Sequence, residues 1–160
     1  MSVDAFDYEI LKILQTNSRT STEQIGLEVG LSASACQRRV RKLKEKGIIT
    51  HEVAVLDRDK LGAYITAIVD VTMEKGGETV LDNFIAKLVT EQQVQQFYYT
   101  AGEVDFVLII VVKSMHEFDV LTRRLLMSNK HVKKFHSKIA IQANKVELAI
   151  PIMSNSTTSA

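Results

Sequence analysis

The chain has 160 residues, 46% of them hydrophobic and 24% charged, with a formal net charge of +1. This composition supports a packed core in one medium domain or two small ones, and it excludes a disordered or uniformly cationic chain. No stretch reaches the roughly 18 apolar residues of a membrane span, the single cysteine cannot form an internal disulfide, and the acidic start "MSVDAFDYE" carries no hydrophobic signal segment; a cytoplasmic protein without membrane contact is expected.

The first 50 residues read as helices. Phe6, Ile10, Ile13 and Leu14 recur at helical spacing, with Asp4 as N-cap. Residues 17–20 break the pattern. Ser21 and Gln24 form a capping-box signature, and Ile25 and Val29 give the next helix an apolar face. Gly30 ends that helix, because glycine accepts the left-handed conformation of a C-terminal cap. Ser32 caps a third helix, along which Cys36, Val40 and Leu43 share one face until Gly47 stops it. Two short helices joined by a tight "VGLS" turn, with a longer helix before them, make a helix-turn-helix. "IITHEVAVLD" (48–57) is strand-like and reads as a wing followed by a linker strand. The expected organisation is a helix-turn-helix domain over 1–50, a linker strand over 51–62 and a second domain over 63–153. The tail, 154–160, has no core-forming residues and is expected to be disordered.

The second half changes rhythm. In "AYITAIVDVTM" (63–73), Ile65, Ala67, Val69, Val71 and Met73 alternate with polar positions. A helical period follows through Leu81, Phe84 and Leu88. "VQQFYYTA" (94–101) and "DFVLIIVV" (105–112) read as strands joined by a short turn. Ser114 and Glu117 open a helix that buries Phe118, Leu121 and Leu125, and "VKKFHSKIAI" (132–141) returns as a strand. The fold class is α+β: a winged helix-turn-helix followed by a ferredoxin-like βαββαβ sandwich. "VELAIPI" (146–152) reads as an extra strand, at an edge because of Pro151. Residues 106–112 are apolar on both faces, so a sheet with helices on one side needs a second cover. That cover is a second copy of the chain, which makes the protein an obligate homodimer, or else residues 145–153 folded back.

Charge is concentrated. Residues 1–36 carry a net −3, residues 37–46 a net +5 and the remainder −1. With Cys36, Val40 and Leu43 inward, Ser34, Gln37, Arg38, Arg41 and Lys42 lie outward. Ser34, Gln37 and Arg38 suit base edges in a major groove, since glutamine can pair with adenine and arginine with guanine. Arg41, Lys42, Lys44 and Lys46 suit phosphates, and the helix start at Ser32 can hold another. A basic run alone is more often a solvated face; the capped helix and glycine turn before it favour double-stranded DNA. Arg39 sits at the inner edge, where it either pairs with Asp7 or Glu9 or contacts DNA. Neutrality elsewhere limits nonspecific binding.

These residues resemble the Lrp/AsnC family of transcriptional regulators, the feast/famine regulators. The likeness rests on "DAFDYEILKILQTNSRTS", "GLSASACQRRVRKLKEKGII", "DRDKLG" and "TAGEVDFVLIIV". It implies a C-terminal domain that dimerises, assembles dimers into octamers or similar rings, and binds a small effector, usually an amino acid, between dimers. No other cofactor is implied. By that match Thr100, Ala101, Gly102, Glu103 and Asp105 line the pocket, with open amides for the ligand's carboxylate and an acidic side chain for its ammonium. Lys138, Ile139 and Ala140 of a neighbouring dimer complete it. Read without the family, "AGEVD" is a hairpin turn.

Other functions fit less well. His131 and His136 fall on opposite faces of a strand, which suits no shared metal, and no phosphate loop or nucleophile elbow is present; the chain is expected not to be an enzyme. Phe97, Tyr98 and Tyr99 can stack bases, but "VLIIVV" is too apolar for an RNA-binding face. A ligand-independent chromosome-organising protein is the alternative to an effector-responsive regulator.

Overall fold

The computed structural model describes residues 3–62, 64–74 and 76–152. It divides into two compact units: Met1–Val55 with the stretch from Lys145 onward, and Leu56–Asn144. The expected tail, 154–160, lies outside the described residues.

The first unit holds α1 (Ala5–Thr16), α2 (Thr22–Val29) and α3 (Ala33–Glu45). Asp4 and Asp7 cap α1 reciprocally, each carboxylate accepting the other's amide at 2.9 and 3.2 Å. Ser21 accepts from the Gln24 amide, and Ser32 from that of Ala35. Gly30 closes α2 at φ 73°, in the left-handed region that a side chain disfavours. Ile10, Ile25, Cys36 and Leu43 form the core, joined by Leu11, Ile13, Leu14, Val29, Leu31, Val40 and Ile49. Phe6 departs from the expected apolar face: it is 44% exposed, and its ring lies under the Arg39 guanidinium at 5.5 Å instead of in the core.

The strand-like segment after Gly47 forms neither a wing nor a strand in the structure. It runs unpaired, with Val53, Val55 and Leu56 exposed. Alternating apolar residues suit a strand, but a strand also needs a ladder partner. The stretch 146–152 is likewise no strand. Expected with the second domain, it groups with the first unit, where the Gln15 side-chain amide donates to Ile150 O at 3.2 Å and accepts from Ile150 N at 2.8 Å.

The second unit is a four-stranded antiparallel sheet in the order β2-β3-β1-β4. Its elements run β1 (Ile65–Met73), α4 (Glu78–Thr90), β2 (Val94–Tyr99), β3 (Phe106–Val112), α5 (Met115–Thr122), a π-helical turn (Arg123–Met127) and β4 (Val132–Ile139). This is the expected βαββαβ order. Ala67, Val69 and Val71 of β1 and Phe106, Leu108, Ile110 and Val112 of β3 are buried with Phe84 and Leu88 of α4 and Phe118, Leu121, Leu125 and Leu126. Phe84 meets Phe106 edge to face at 5.2 Å. The opposite sheet face carries Ile68, Val107, Ile109 and Val111, half-buried, with Ile68 beside Ile109. Arg124 forks onto Glu91, Nη2 to Oε2 at 2.6 Å and Nη1 to Oε1, tying the π-helical turn to the end of α4. Those bonds hold the Glu91 carboxyl below its ordinary range.

Candidate nucleic-acid interface and ligand loop

Helix α3 has a buried side and an outward side. Cys36 and Leu43 are 0% and 3% exposed and fix the roll of the helix. Ser32, Ser34, Gln37, Arg38, Arg41 and Lys42 are all exposed, so all six residues expected at the interface share the outward part of one helix and its cap. The Ser34 hydroxyl stands 3.2 Å from that of Ser32. Arg41 Nε lies 3.4 Å from Glu45, an exposed pair that water weakens. Lys44, expected at a phosphate, instead meets Glu52 at 2.7 Å.

Arg39 is engaged within the helical unit. Its Nη1 bonds Asp4 at 2.7 Å and Asp7 at 2.8 Å, clamping α3 to the first turn of α1. Asp7 was one of the two expected partners; the other, Glu9, pairs with Lys12. The Asp7 amide and then Arg39 hold the Asp4 carboxyl below its usual range, and the bonds to Asp4 and Asp7 push the guanidinium up.

Gly26 is a residue that sequence reasoning passed over. A Cβ there would stand 2.5 Å from the Leu31 carbonyl oxygen, so glycine lets α2 approach the turn that leads into α3. A lone glycine inside a helical pattern was the available signal.

The loop between β2 and β3 holds Thr100, Ala101, Gly102, Glu103 and Asp105. Thr100 N donates to Asp105 O at 2.8 Å, and Thr100 Oγ1 to Val104 O at 2.6 Å. Asp105 does not present a free carboxylate: its Oδ2 accepts the Met73 amide at 2.7 Å, while its own amide donates to Val71 O at 2.9 Å. It braces the loop on the end of β1. Ala101, Gly102 and Glu103 are exposed. Among the described residues, the amides of Ala101, Gly102, Glu103 and Val104 donate to no backbone carbonyl. Turn amides left open in this way suit an anion.

Lys138, Ile139 and Ala140 lie at the other end of the sheet. Lys138 Nζ meets Asp70 Oδ2 at 2.6 Å, and Ala140 N donates to Thr66 O at 2.9 Å. Val71 pairs with Phe106 at the loop end of β1, whereas Ala67 pairs with Ile139. Four residues of strand separate these pairs, about 13 Å at about 3.3 Å per residue. One chain therefore does not bring the two groups together. Among the described residues, no three His, Cys, Asp or Glu side chains cluster to hold a metal, and no helix is long and apolar enough to cross a membrane.

A helix-turn-helix with a cationic outward helix, joined to an α+β unit with an open-amide loop, defines a DNA-binding transcriptional regulator with a ligand-binding domain. Residues 3–44 match the AsnC-type helix-turn-helix domain, and residues 66–150 match the Lrp/AsnC ligand binding domain. The chain belongs to the Lrp/AsnC family of transcriptional regulators. It is 33% identical to the HTH-type transcriptional regulator y4tD of Sinorhizobium fredii, over 95% of this chain and 90% of that one. It is 36% identical to the glutamate uptake regulatory protein of Zymomonas mobilis, over 78% and 76%. A transcriptional regulator of Neisseria meningitidis, solved as a complex with L-Met, superposes with a TM-score of 0.85 at 25% identity, covering 94% of this chain and 97% of that one.

Proposed function

We propose that the protein is a homodimeric regulator that reads a specific double-stranded DNA site and responds to a free amino acid. The carrying observation is α3 itself: its cap and buried side fix Ser34, Gln37, Arg38, Arg41 and Lys42 outward together. One such helix makes few contacts, whereas two helices held by a dimer can read a two-fold symmetric site. The apolar row Ile68, Val107, Ile109 and Val111 is the surface that joins the two copies.

The effector sits at the loop 100–105. The open amides there take its carboxylate, and exposed Glu103 takes its ammonium, while Asp105 positions the loop. The relatives support an amino acid: one is named for glutamate uptake and one is solved with L-Met. Lys138, Ile139 and Ala140 of another dimer complete the pocket, because the copy in the same chain is about 13 Å away along β1. That requirement favours dimers assembled further, as in an octamer.

The test is a thermal-shift screen of the twenty amino acids, followed by footprinting on duplex DNA with and without each hit. Glu103→Gln should weaken binding of the hit and leave the footprint in place. A protein that footprints specifically yet gives the same footprint with every amino acid would instead be the ligand-independent organiser. Absence of duplex binding at low salt would remove the DNA reading.

A further inference from the structure

A groove of about 100 Å³ runs between the start of α1 and α3, lined by Val3, Asp7, Arg38, Arg39, Lys42, Leu43 and Lys46. Arg38, Lys42 and Lys46 are spaced by four, so they form one ridge on the flank of the helix. The opposite wall is the first turn of α1, and Leu43 is buried beneath. Asp7 would oppose any anion here, but Arg39 already holds it at 2.8 Å. The capping box occupies the amides of Asp4 and Asp7, and the basic side chains of the lining supply positive charge to the groove.

We propose that this groove seats one backbone phosphodiester of duplex DNA; this moves Arg38, expected at a base edge, to the phosphate side, and leaves Ser34, Gln37 and Arg41, outside the groove, to face the bases. The assignment rests on the DNA-binding reading above. It divides α3 into two functional strips: one that meets base edges, and the 38–42–46 ridge that meets the sugar–phosphate strand beside α1. Arg39 is then a positioning residue. It touches no DNA, and it keeps the Asp7 carboxylate neutralised where a phosphate must enter.

Three measurements on the full chain test the seat. Each phosphate contact contributes about 0.9 to the slope of log K against log salt. Lys42→Gln should therefore lower that slope by about 0.9 on a random-sequence duplex and on the protein's own best site alike. At 0.1 M salt this is about an eightfold loss of affinity on both. The charge-matched change Lys87→Gln, on α4, should leave the slope unaltered. Arg39→Gln should weaken DNA binding by exposing Asp7, and adding Asp7→Asn should recover it, even though the double variant has lost the clamp. If Arg39→Gln does not fold, the Lys42→Gln slope decides alone. An unchanged slope in Lys42→Gln, or no recovery in the double variant of a folded protein, overturns the seat. Pyrophosphate at constant ionic strength checks the other source of the same chemistry: stabilisation that Lys42→Gln abolishes, with the DNA slope unaltered, would assign the groove to a small free anion. Wild-type protein that ignores DNA would sink the functional reading itself, a distinct result.

Discussion

Replacing Gly26 by alanine sets two physical rules against each other. By helix propensity the change should stabilise α2 by about 1 kcal/mol. The structure gives the opposite sign. The new Cβ would stand 2.5 Å from Leu31 O and 3.5 Å from Ala33 N, where ordinary contact begins at 3.4 Å. The turn must retreat by roughly 0.9 Å, at an overpacking cost of about 1–3 kcal/mol. It also strains the 3.0 Å bond from Leu31 N to Gly26 O, worth about 1 kcal/mol. The propensity gain and the bond loss offset each other, leaving a net loss of about 1–3 kcal/mol. In a domain this small, each kcal/mol moves the midpoint by about 4–8 °C. Calorimetry of the full chain should show the transition of the helical unit shifted down while that of the sheet unit stays. DNA affinity should fall with it, since the displaced turn carries the start of α3. A midpoint equal to or above that of the parent would refute the close-approach argument.

Gln37→Ala should relax discrimination at one base pair by about 1–3 kcal/mol while leaving the salt slope intact, as read by binding to a set of single-substitution duplexes. Ile109→Asp places a charge in the centre of the apolar sheet face; sedimentation should show single chains, and DNA affinity should drop because paired helices are lost. The lowered Glu91 carboxyl predicts an acid limb of stability. A depressed folded pKa gives stabilisation that is complete above the ordinary carboxylate range and is lost as pH falls through the folded value. Glu91→Gln should flatten that limb in urea titrations at acid pH, and an unaltered limb would place the acid sensitivity elsewhere.

The helices were legible because their signals are local. Asp4, Ser21 and Ser32 sit at the caps, Gly30 takes the left-handed angle, and Cys36 and Leu43 repeat at helical spacing. The alternation in β1 and the doubly apolar β3 were equally readable. What stayed hidden depends on partners distant in sequence. The sequence offers Asp7 as a partner for Arg39 but not the cap residue Asp4, 35 residues away. Asp105 reads as a free acid until Met73 N is found against it. The segments 48–57 and 146–152 have strand composition, but pairing is a property of two segments, and neither has a ladder partner here. For the same reason the loop and the strand end of the proposed ligand pocket, suggested only by family likeness, could not be placed relative to each other from sequence.

The grip of Gln15 on both main-chain groups of Ile150 has a practical corollary for chimeras. A fusion that borrows only the N-terminal 55 residues would orphan an amide side chain that is bidentately engaged in the parent. Grafts that transfer the C-terminal peptide along with the three helices should melt later than those cut at a single junction. A fluorophore attached near residue 152 would, by the same logic, track the helical unit and not the sheet that precedes it in the chain.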